Sequence, residues 1–243
     1  MIKLLQNLNN LSVPPGSVGT KIAADLFAYG TGYPFLTAWQ QLGPQNRPTA
    51  LLCKKEDSWL HYAGSKANPA ELTAFVQAVG GRHLQLQGPG NLTALKSPGL
   101  FAEYCLQPGQ PAAAVPAAVQ QNNLKGCYQI LYSSPNSSIA KVEYNGWYAD
   151  LSHKIRHGYA FCATLNGAAA VVSHLFGGSA VLSGVAVLPQ LRGKGRGRQL
   201  LAALPALLPG VRRFYVCCAP QTEPFYKACG FVKTGQAVTV GRL

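Results

Sequence analysis

The chain has 243 residues, of which 48% are hydrophobic and 12% are charged. This length fits one large domain or two modest ones, and the composition excludes a globally disordered chain. The formal charge of +13 is uneven, because residues 1–123 carry a net charge of +3 and residues 124–243 a net charge of +10. A half this basic attracts polyanions or a highly charged cofactor, with simple solubility as the alternative explanation.

The cysteine pattern and the N-terminal stretch both bear on the cellular compartment. Seven cysteines occur with no C-x-x-C pair, and His153 and His157 are interpreted as the polar side of a helix. This argues against a disulfide framework and a zinc site, and it favours reduced thiols. MIKLLQNLNNLSVPPG (1–16) does not resemble a signal peptide, and no run of about 18 apolar residues predicts a membrane span. We therefore expect a cytoplasmic protein with neither a metal nor a membrane partner.

A Pro- and Ala-rich stretch, QPGQPAAAVPAAVQQNN (107–123), divides the sequence. Its prolines disfavour a helix interior and a central strand, so we interpret it as an interdomain linker. A solvent-covered loop within a single domain is the alternative. The interpretation predicts an N-terminal domain over residues 1–106 and a C-terminal domain over residues 124–243.

Before the linker, the patterns predict a smaller α/β domain. TALLC (49–53) and SWLHYAG (58–64) are typical of a hairpin. NPAELTAFVQAVGG (68–81) predicts a helix with Asn68 at its N-cap, and HLQLQG (83–88) alternates like a half-buried strand. This half contains no catalytic constellation.

After the linker, the predicted order is strand, helix and then several strands. CYQILYSS (127–134) predicts a strand and NGWYADLSHKIRHG (145–158) a helix. YAFCATL (159–165) and AAAVVSHLF (168–176) are joined by Asn-Gly, which is a strong hairpin signal.

The remaining elements alternate between strands and helices. AVLSGVAVLP (180–189) predicts a strand that leads through LRGKGRGRQLL (191–201) into an apolar helix, which Pro205 is expected to kink or end. A strand, a short helix and a terminal strand or hairpin follow in RFYVCC (213–218), TEPFYKAC (222–229) and VKTGQAVTV (232–240). The chain is therefore predicted to be α/β, with a mixed sheet.

The glycine-rich turn between strand and helix predicts an anion site. The first amides of a helix are unpaired, its dipole favours an anion, and glycine lets phosphate oxygens approach the backbone. Arg192, Lys194 and Arg196 add positive charge. A P-loop is excluded because no Ser or Thr follows a Gly-Lys pair, and the dinucleotide fingerprint is excluded by its glycine spacing and its missing acid.

Two motifs of the C-terminal half resemble those of the GNAT superfamily of N-acyltransferases. GVAVLPQLRGKGRGRQLL (184–201) resembles the family's acetyl-CoA signature [RQ]-x-x-G-x-[GA], with Arg192, Gly195 and Gly197 at the defining positions. FYKACGF (225–231) resembles the second motif, F-Y-x-x-x-G-F. The resemblance covers roughly residues 124–243. It implies a central mixed sheet flanked by helices and an N-acetyltransferase that transfers an acetyl group from acetyl-CoA to a primary amine.

The resemblance also implies a site. The backbone around the turn would cradle the coenzyme's diphosphate through Arg192, Gly193, Lys194, Gly195, Arg196 and Gly197. The preceding strand edge would bind the pantetheine arm, much as an added strand would, through Val185, Ala186 and Val187. Gly184 suits the bulge found in this strand of the family. Tyr226 would protonate the departing thiolate, although a tyrosine at the edge of the core is the alternative.

The sequence assigns no general base. Many family members carry a carboxylate in the strand before the turn, and this strand has none. The acids of this half are Glu143, Asp150 and Glu223, and His174 is a lone histidine of the kind that is more often structural.

Three other functions stay open at this stage. The missing carboxylate favours a catalytically silent sensor of CoA or acyl-CoA, and another acyl donor in the same pocket is a further alternative. A nucleic-acid partner is disfavoured because few aromatic residues lie among the arginines. The acceptor is expected to be a small-molecule or peptide amine. The N-terminal domain is interpreted as a degenerate copy of the same fold, a lid or a substrate platform.

Overall fold

The computed structural model describes residues 1–9, 11–88, 96–107, 113–134 and 142–242. The strands are β1 (Ile2–Leu4), β2 (Leu36–Leu42), β3 (Pro48–Lys55), β4 (Ser58–Ala63), β5 (His83–Gln87), β6 (Lys96–Leu106), β7 (Val119–Gln121), β8 (Phe161–Leu165), β9 (Ala168–Phe176), β10 (Ser179–Val187), β11 (Arg213–Cys218) and β12 (Val232–Arg242). The helices are α1 (Ser17–Tyr29), α2 (Pro69–Val79), α3 (Leu124–Tyr132), α4 (Tyr144–Arg156), α5 (Arg196–Leu207) and α6 (Glu223–Ala228).

Backbone contacts divide the chain into two compact units. The first unit comprises Met1–Glu103, Cys217–Pro220 and Lys233–Leu243, and the second comprises Tyr104–Val216 and Gln221–Val232. The first unit includes most of β12, because that strand pairs with β5. The predicted boundaries instead kept all residues after the linker together.

In the first unit, the neighbouring strands follow the order β1-β2-β3-β4-β5-β12. The pairs are antiparallel except for β4 and β5, which are parallel and connected through α2. Leu51 and Cys53 of β3 pack in one cluster with α1, while Leu52 packs in another with α2. Successive residues of a strand point to opposite faces, so the two helices cover opposite faces of this sheet. The predicted hairpin, helix and strand of this half are confirmed.

In the second unit, the order is β11-β10-β9-β8-β7, again with one parallel pair, β10 and β11. Helices α3 and α5 both lie against β8, β9 and β10. Asn166 and Gly167 join β8 to β9 with φ angles of 46° and 83°, as the Asn-Gly signal predicts. α5 ends two residues beyond Pro205, in agreement with the expected effect of that proline. The unit has the predicted mixed sheet flanked by helices.

The prediction of a strand over 127–134 is wrong, because these residues belong mainly to helix α3. Leu124, Cys127 and Leu131 recur at helical spacing and pack on the core of the second unit. The side chain of Asn123 accepts a hydrogen bond from the Gly126 amide at 2.9 Å and starts the helix.

Part of the predicted linker, 107–123, forms structure. Residues 119–121 are the edge strand β7, which pairs with β8. An edge strand needs a partner on one side only, and the prolines of the segment precede it. Residues 108–112 lie outside the described part of the chain.

Candidate functional site

A cavity of about 460 Å³ opens at the glycine-rich turn of the second unit. It is lined by three residues of β10, by the turn, by the first turn of α5 and by three residues from elsewhere in the unit: Val185, Ala186, Val187, Leu191, Arg192, Gly193, Gly195, Arg196, Gly197, Arg198, Ser134, Thr222 and Phe225. The structure therefore brings together all the predicted coenzyme-binding residues except Lys194, which is not part of this lining.

Strands β10 and β11 part beside this cavity. Their parallel pairing runs from Ser179 opposite Arg213 to Leu182 opposite Val216. β10 continues to Val187, and its pairing with β9 continues with it. The register between β10 and β9 shifts between Leu182 and Gly184, so the bulge predicted at Gly184 is present. Along Val185–Val187, β10 therefore presents an edge that β11 does not cover in the described structure.

The glycines of the turn adopt conformations that other residues rarely adopt. Gly193 and Gly195 have φ angles of 74° and 71°, in the left-handed region. Space is open where a Cβ would lie at either position. Gly197 instead permits close packing, because a Cβ there would come within 3.3 Å of the Val187 side chain and 3.4 Å of the Phe225 ring. The backbone conformation thus favours glycine at positions 193 and 195, and close packing of α5 favours it at position 197.

The start of α5 has no side-chain cap. Its N-cap residue is Gly195, and the first backbone hydrogen bond of the helix joins the Gln199 amide to the Gly195 carbonyl. The amides of residues 196–198 find no acceptor among the described residues. Side chains do accept the first amides of the other helices of eight residues or more, namely Glu103 and Gln87 for α1, Asn68 for α2, Asn123 for α3 and Glu143 for α4. The uncapped helix is therefore the one whose N-terminus lines the cavity.

Two arginine side chains brace the turn. Arg192 Nε donates to the Val187 carbonyl at 3.1 Å, and the Arg196 guanidinium donates to the carbonyl of Asn166. The guanidinium groups keep their charge while holding the turn against the ends of β10 and of the β8–β9 hairpin. The positive end of the α5 dipole adds to that charge. The turn is therefore both ordered and strongly attractive to an anion.

Tyr226 lies one residue beyond a cavity-lining side chain. Its neighbour Phe225 lines the cavity, whereas Tyr226 is buried and is not part of the lining. The Tyr226 ring packs edge-on against Phe225 and Phe231, with centroids 5.2 and 5.6 Å apart. Its role as the proton donor stays a prediction.

Each carboxylate of residues 124–243 is already engaged. Glu143 accepts hydrogen bonds from the amides of Asn145 and Gly146, which hold its pKa below the usual value. Asp150 Oδ2 pairs with the ammonium of Lys154 at 2.9 Å.

Glu223 is held by two partners. Its Oε2 accepts a 2.6 Å hydrogen bond from the Tyr104 hydroxyl and lies 3.3 Å from Lys227 Nζ. The bond to Glu223 raises the pKa of Tyr104. Sequence reasoning missed Tyr104, which lies outside the segment that carries the family resemblance. The two residues are 119 positions apart, and no local pattern connects them.

His174 belongs to a polar network between α4 and β9. Its Nε2 lies 3.3 Å from Lys154 Nζ, and its Nδ1 lies 2.7 Å from Ser173 Oγ. Lys154 is only 2% exposed, so this network together with Asp150 keeps a buried ammonium paired. Both ring nitrogens of His174 have neighbours, which supports the structural interpretation of this histidine.

The described ranges contain neither a metal-binding cluster nor a membrane-spanning helix. No three His, Cys, Asp or Glu side chains come together there as ligands of a metal ion would. Among the same residues, no helix has the length and apolar character needed to cross a bilayer.

The glycine turn and the helices around it lie in a segment with known relatives. Residues 146–233 match the family model described as an acetyltransferase (GNAT) domain. No curated protein matches the chain in sequence.

Solved structures resemble the chain over nearly its whole length. One is a tandem GNAT protein from the clavulanic acid biosynthesis pathway, with 14% identity, a TM-score of 0.55, and coverage of 96% of this chain and 89% of that one. Another is a GCN5-related N-acetyltransferase from Kribbella flavida, with 14% identity, a TM-score of 0.56, and coverage of 94% and 96%. A third comes from Sphaerobacter thermophilus, with 11% identity, a TM-score of 0.56, and coverage of 92% and 85%. At these identities the likeness shows the fold, and the predicted fold class is confirmed.

Proposed function

We propose that the protein is an N-acetyltransferase that transfers the acetyl group of acetyl-CoA to a primary amine, a function that the match of residues 146–233 to the GNAT acetyltransferase family model supports. The observation that carries this proposal is the uncapped N-terminus of α5 beside the uncovered edge of β10. An anion fits the unpaired amides at the start of α5, and an extended amide-containing chain fits the uncovered edge of β10. Acetyl-CoA contains both, as a diphosphate and a pantetheine arm.

In this proposal the two parts of the cavity divide the coenzyme between them. The amides of residues 196–198 and the turn from Arg192 to Gly195 hold the diphosphate. The backbone of Val185–Val187 binds the pantetheine arm as a neighbouring strand would. The net charge of +10 on residues 124–243 suits a ligand with several phosphates.

The transfer needs an unprotonated amine, a polarised carbonyl and a proton for the leaving thiolate. We assign the last of these to Tyr226, whose position follows from the second motif. No side chain is assigned as the general base. The carboxylates of this half hold helix N-termini or ion pairs, and His174 is engaged at both nitrogens.

We interpret the first unit as a degenerate copy of the same fold that no longer binds coenzyme. Its strand pairing follows that of the second unit, while its β4–α2 turn has neither an uncapped helix nor an uncovered strand edge. The proposal places the protein in the cytoplasm, where thiols stay reduced, and none of the seven cysteines forms a disulfide.

Thermal unfolding with acetyl-CoA tests the proposal. At a concentration about 100 times Kd, the coenzyme should raise Tm by about 5–10 °C through mass action. Gly195→Val should abolish this shift, because its side chain would occupy the phosphate space and its backbone φ is 71°. No shift in the unmutated protein at millimolar acetyl-CoA would refute the proposal.

Gly80 offers a matched control for that variant. Its φ angle is 73°, and space is open where its Cβ would lie, as at Gly195, but it ends α2 in the first unit. Both valine substitutions should lower stability, and Gly80→Val should lower it more, because the ψ angle of Gly80 is 172°, in a region that essentially only glycine populates, whereas the ψ angle of Gly195 is 0°. Only Gly195→Val should lose the response to acetyl-CoA. An equal loss in both variants would show that unfolding, rather than the site, is responsible.

A silent coenzyme sensor is the second candidate, because the carboxylates of residues 124–243 are all engaged. Thiol release from acetyl-CoA in the presence of amines separates the two functions. Turnover with any amine supports the enzyme, while stabilisation by acetyl-CoA without turnover supports the sensor.

A further inference from the structure

Five aromatic side chains form a continuous group on α3 and α4, which we call the aromatic patch: Tyr128, Tyr132, Tyr144, Trp147 and Tyr148. Tyr128 is at its centre, stacked on Tyr132 at 5.6 Å between centroids and edge-on to Tyr144 at 4.8 Å. Tyr132 and Tyr148 are 57% and 43% exposed. Large aromatic rings are common in cores but costly to leave in water, so an exposed group of them needs an explanation.

The aromatic patch lies next to the cavity. Ser134, two residues beyond the end of α3, lines the cavity wall. Tyr132 is the last residue of α3 and lies two residues before Ser134. Tyr128 and Trp147 pack on a core cluster that also contains Ala186, another residue of the cavity lining. The C-terminal end of α3 therefore lies at the cavity, and the aromatic patch extends from there along α3 and α4.

The aromatic patch is held in place by its own contacts. The Tyr128 hydroxyl donates to the Val142 carbonyl at 2.8 Å, just before α4 begins. Glu143 then fixes the first turn of α4 through two backbone amides. The rings are therefore presented on two connected helices, which lowers the entropy cost of binding a flat ligand.

The charges around the aromatic patch argue against a polycationic ligand. Residues 124–243 carry a net charge of +10, which repels a ligand with several ammonium groups. Their three carboxylates are engaged by backbone amides, Lys154, Tyr104 and Lys227. A polyamine, an aminoglycoside or a lysine-rich tail would find no available carboxylate in this half.

We propose that the aromatic patch binds the acceptor, and that the acceptor is a monoamine with an aromatic or similarly flat apolar body. The inference rests on the proposed acetyltransferase function and names its substrate class. The body of the ligand stacks on the exposed faces of Tyr132 and Tyr148, and the single amine extends toward the cavity. Aromatic faces bind both a flat ring and a lone ammonium, so the aromatic patch suits both ends of such a molecule.

The test compares two amines and two variants. Thiol release from acetyl-CoA is measured with 2-phenylethylamine and with spermidine, and the first should have a kcat/KM at least about 10-fold higher. Tyr132→Ala and Tyr148→Ala should each raise KM for 2-phenylethylamine by about 3- to 10-fold, the range expected for one aromatic contact. KM for acetyl-CoA and kcat should not change. Tyr33→Ala is the matched control, since Tyr33 is 48% exposed and also contacts other rings, but lies in the first unit.

A binding measurement keeps the test independent of turnover. Saturation-transfer NMR on the full chain with CoA should detect 2-phenylethylamine, and each patch variant should weaken the signal. If acetyl-CoA fails to stabilise the protein, the proposed function is refuted first. If acetyl-CoA binds but spermidine is preferred, or the variants leave 2-phenylethylamine binding unchanged, this inference alone is overturned. A changed sedimentation coefficient of the free variants would make the aromatic patch a subunit interface, which also overturns it.

Discussion

The two units of the chain follow one pattern of strand pairing, but they differ at the turn between the first parallel strand and the helix that follows it. In each, three antiparallel pairs in sequence are followed by a parallel pair joined through a helix: β1 to β5 with α2 in the first unit, and β7 to β11 with α5 in the second. The turn before α5 lines a cavity. The same topology thus occurs once with an open site and once without it.

The helix starts account for one part of this difference. α2 begins with Pro69, which has no amide hydrogen, and the Asn68 side chain accepts from the amides of Ala70 and Glu71 at 3.1 and 3.2 Å. α5 begins after Gly195, which has no side chain to offer. The first amides of α5 therefore have no acceptor among the described residues, which is the condition that the proposed anion site requires.

The strand pairing accounts for the other part. β4 and β5 stay paired from Ser58 to Tyr62, one residue before β4 ends. A Cβ on Gly88 would lie 2.1 Å from the Ala63 carbonyl oxygen, so the two strands remain close beyond the last pair. β10 instead extends five residues past its last pair with β11. A few residues of strand pairing and one capping side chain therefore distinguish the two turns, and under the proposed function they decide whether the turn binds coenzyme.

The largest expected effect tests whether the residues that catalyse the proposed reaction lie in the second unit alone. Tyr226→Phe should lower kcat by about 10²- to 10⁴-fold, the usual contribution of a general acid, with little change in acetyl-CoA affinity. Tyr62→Phe in β4 is the control in the first unit and should leave kcat unchanged. Steady-state thiol release measures both. Unchanged turnover in Tyr226→Phe would remove the assigned role while leaving the fold intact.

A smaller effect concerns a histidine that is buried in the first unit. His61 in β4 is fully buried, neither ring nitrogen is hydrogen-bonded to a described residue, and burial lowers its pKa from 6.5 to about 3. The unfolded chain takes up the proton first, so stability falls as pH drops below 6.5 toward 3. By pH 4.5 this loss amounts to about 3 kcal/mol.

Substitution of His61 should remove that acid sensitivity. Between pH 7 and pH 4.5, the free energy of unfolding of the unmutated protein should fall. That of His61→Leu should fall by about 2–3 kcal/mol less. Urea unfolding at the two pH values measures it, and His83→Leu, at an exposed position of the same unit, is the control. Equal pH slopes in all three proteins would contradict the prediction.

The smallest expected effect sharpens the comparison of the two turns. Asn68→Ala should cost about 1 kcal/mol of unfolding free energy, because two amides lose their acceptor. The acetyl-CoA stoichiometry should stay at one per chain, since Pro69 lacks an amide hydrogen and β4 remains covered by β5. Calorimetric titration measures the stoichiometry. A second equivalent of coenzyme in this variant would show that the cap alone closes the first unit's turn.

Sequence reasoning located the turn because its chemistry is local. The strand end, the three glycines and the helix start are contiguous, and their spacing carries the information. The same holds for the Asn-Gly hairpin and for the capped helix after Asn68.

What sequence reasoning missed depends on distant partners. Helix α1 received no prediction: the acceptor of the Ser17 amide is Glu103, 86 positions away. The segment of α3 contains Ile130 and two tyrosines, which are residue types that favour strands, whereas packing on the core and the Asn123 cap stabilise the helix. The hydrogen bond of Glu223 in α6 could not be predicted, because its partner Tyr104 lies far away in the sequence, on β6.

The position of β12 has a consequence for how the chain is made. This strand completes the pairing of β5, yet the ribosome synthesises it only after the whole second unit has been synthesised. Until then β5 has one unpaired edge, the kind of surface that attracts other chains. Truncation within residues 107–123 would leave that edge exposed permanently, so the N-terminal half expressed alone is expected to aggregate where the full chain stays in solution.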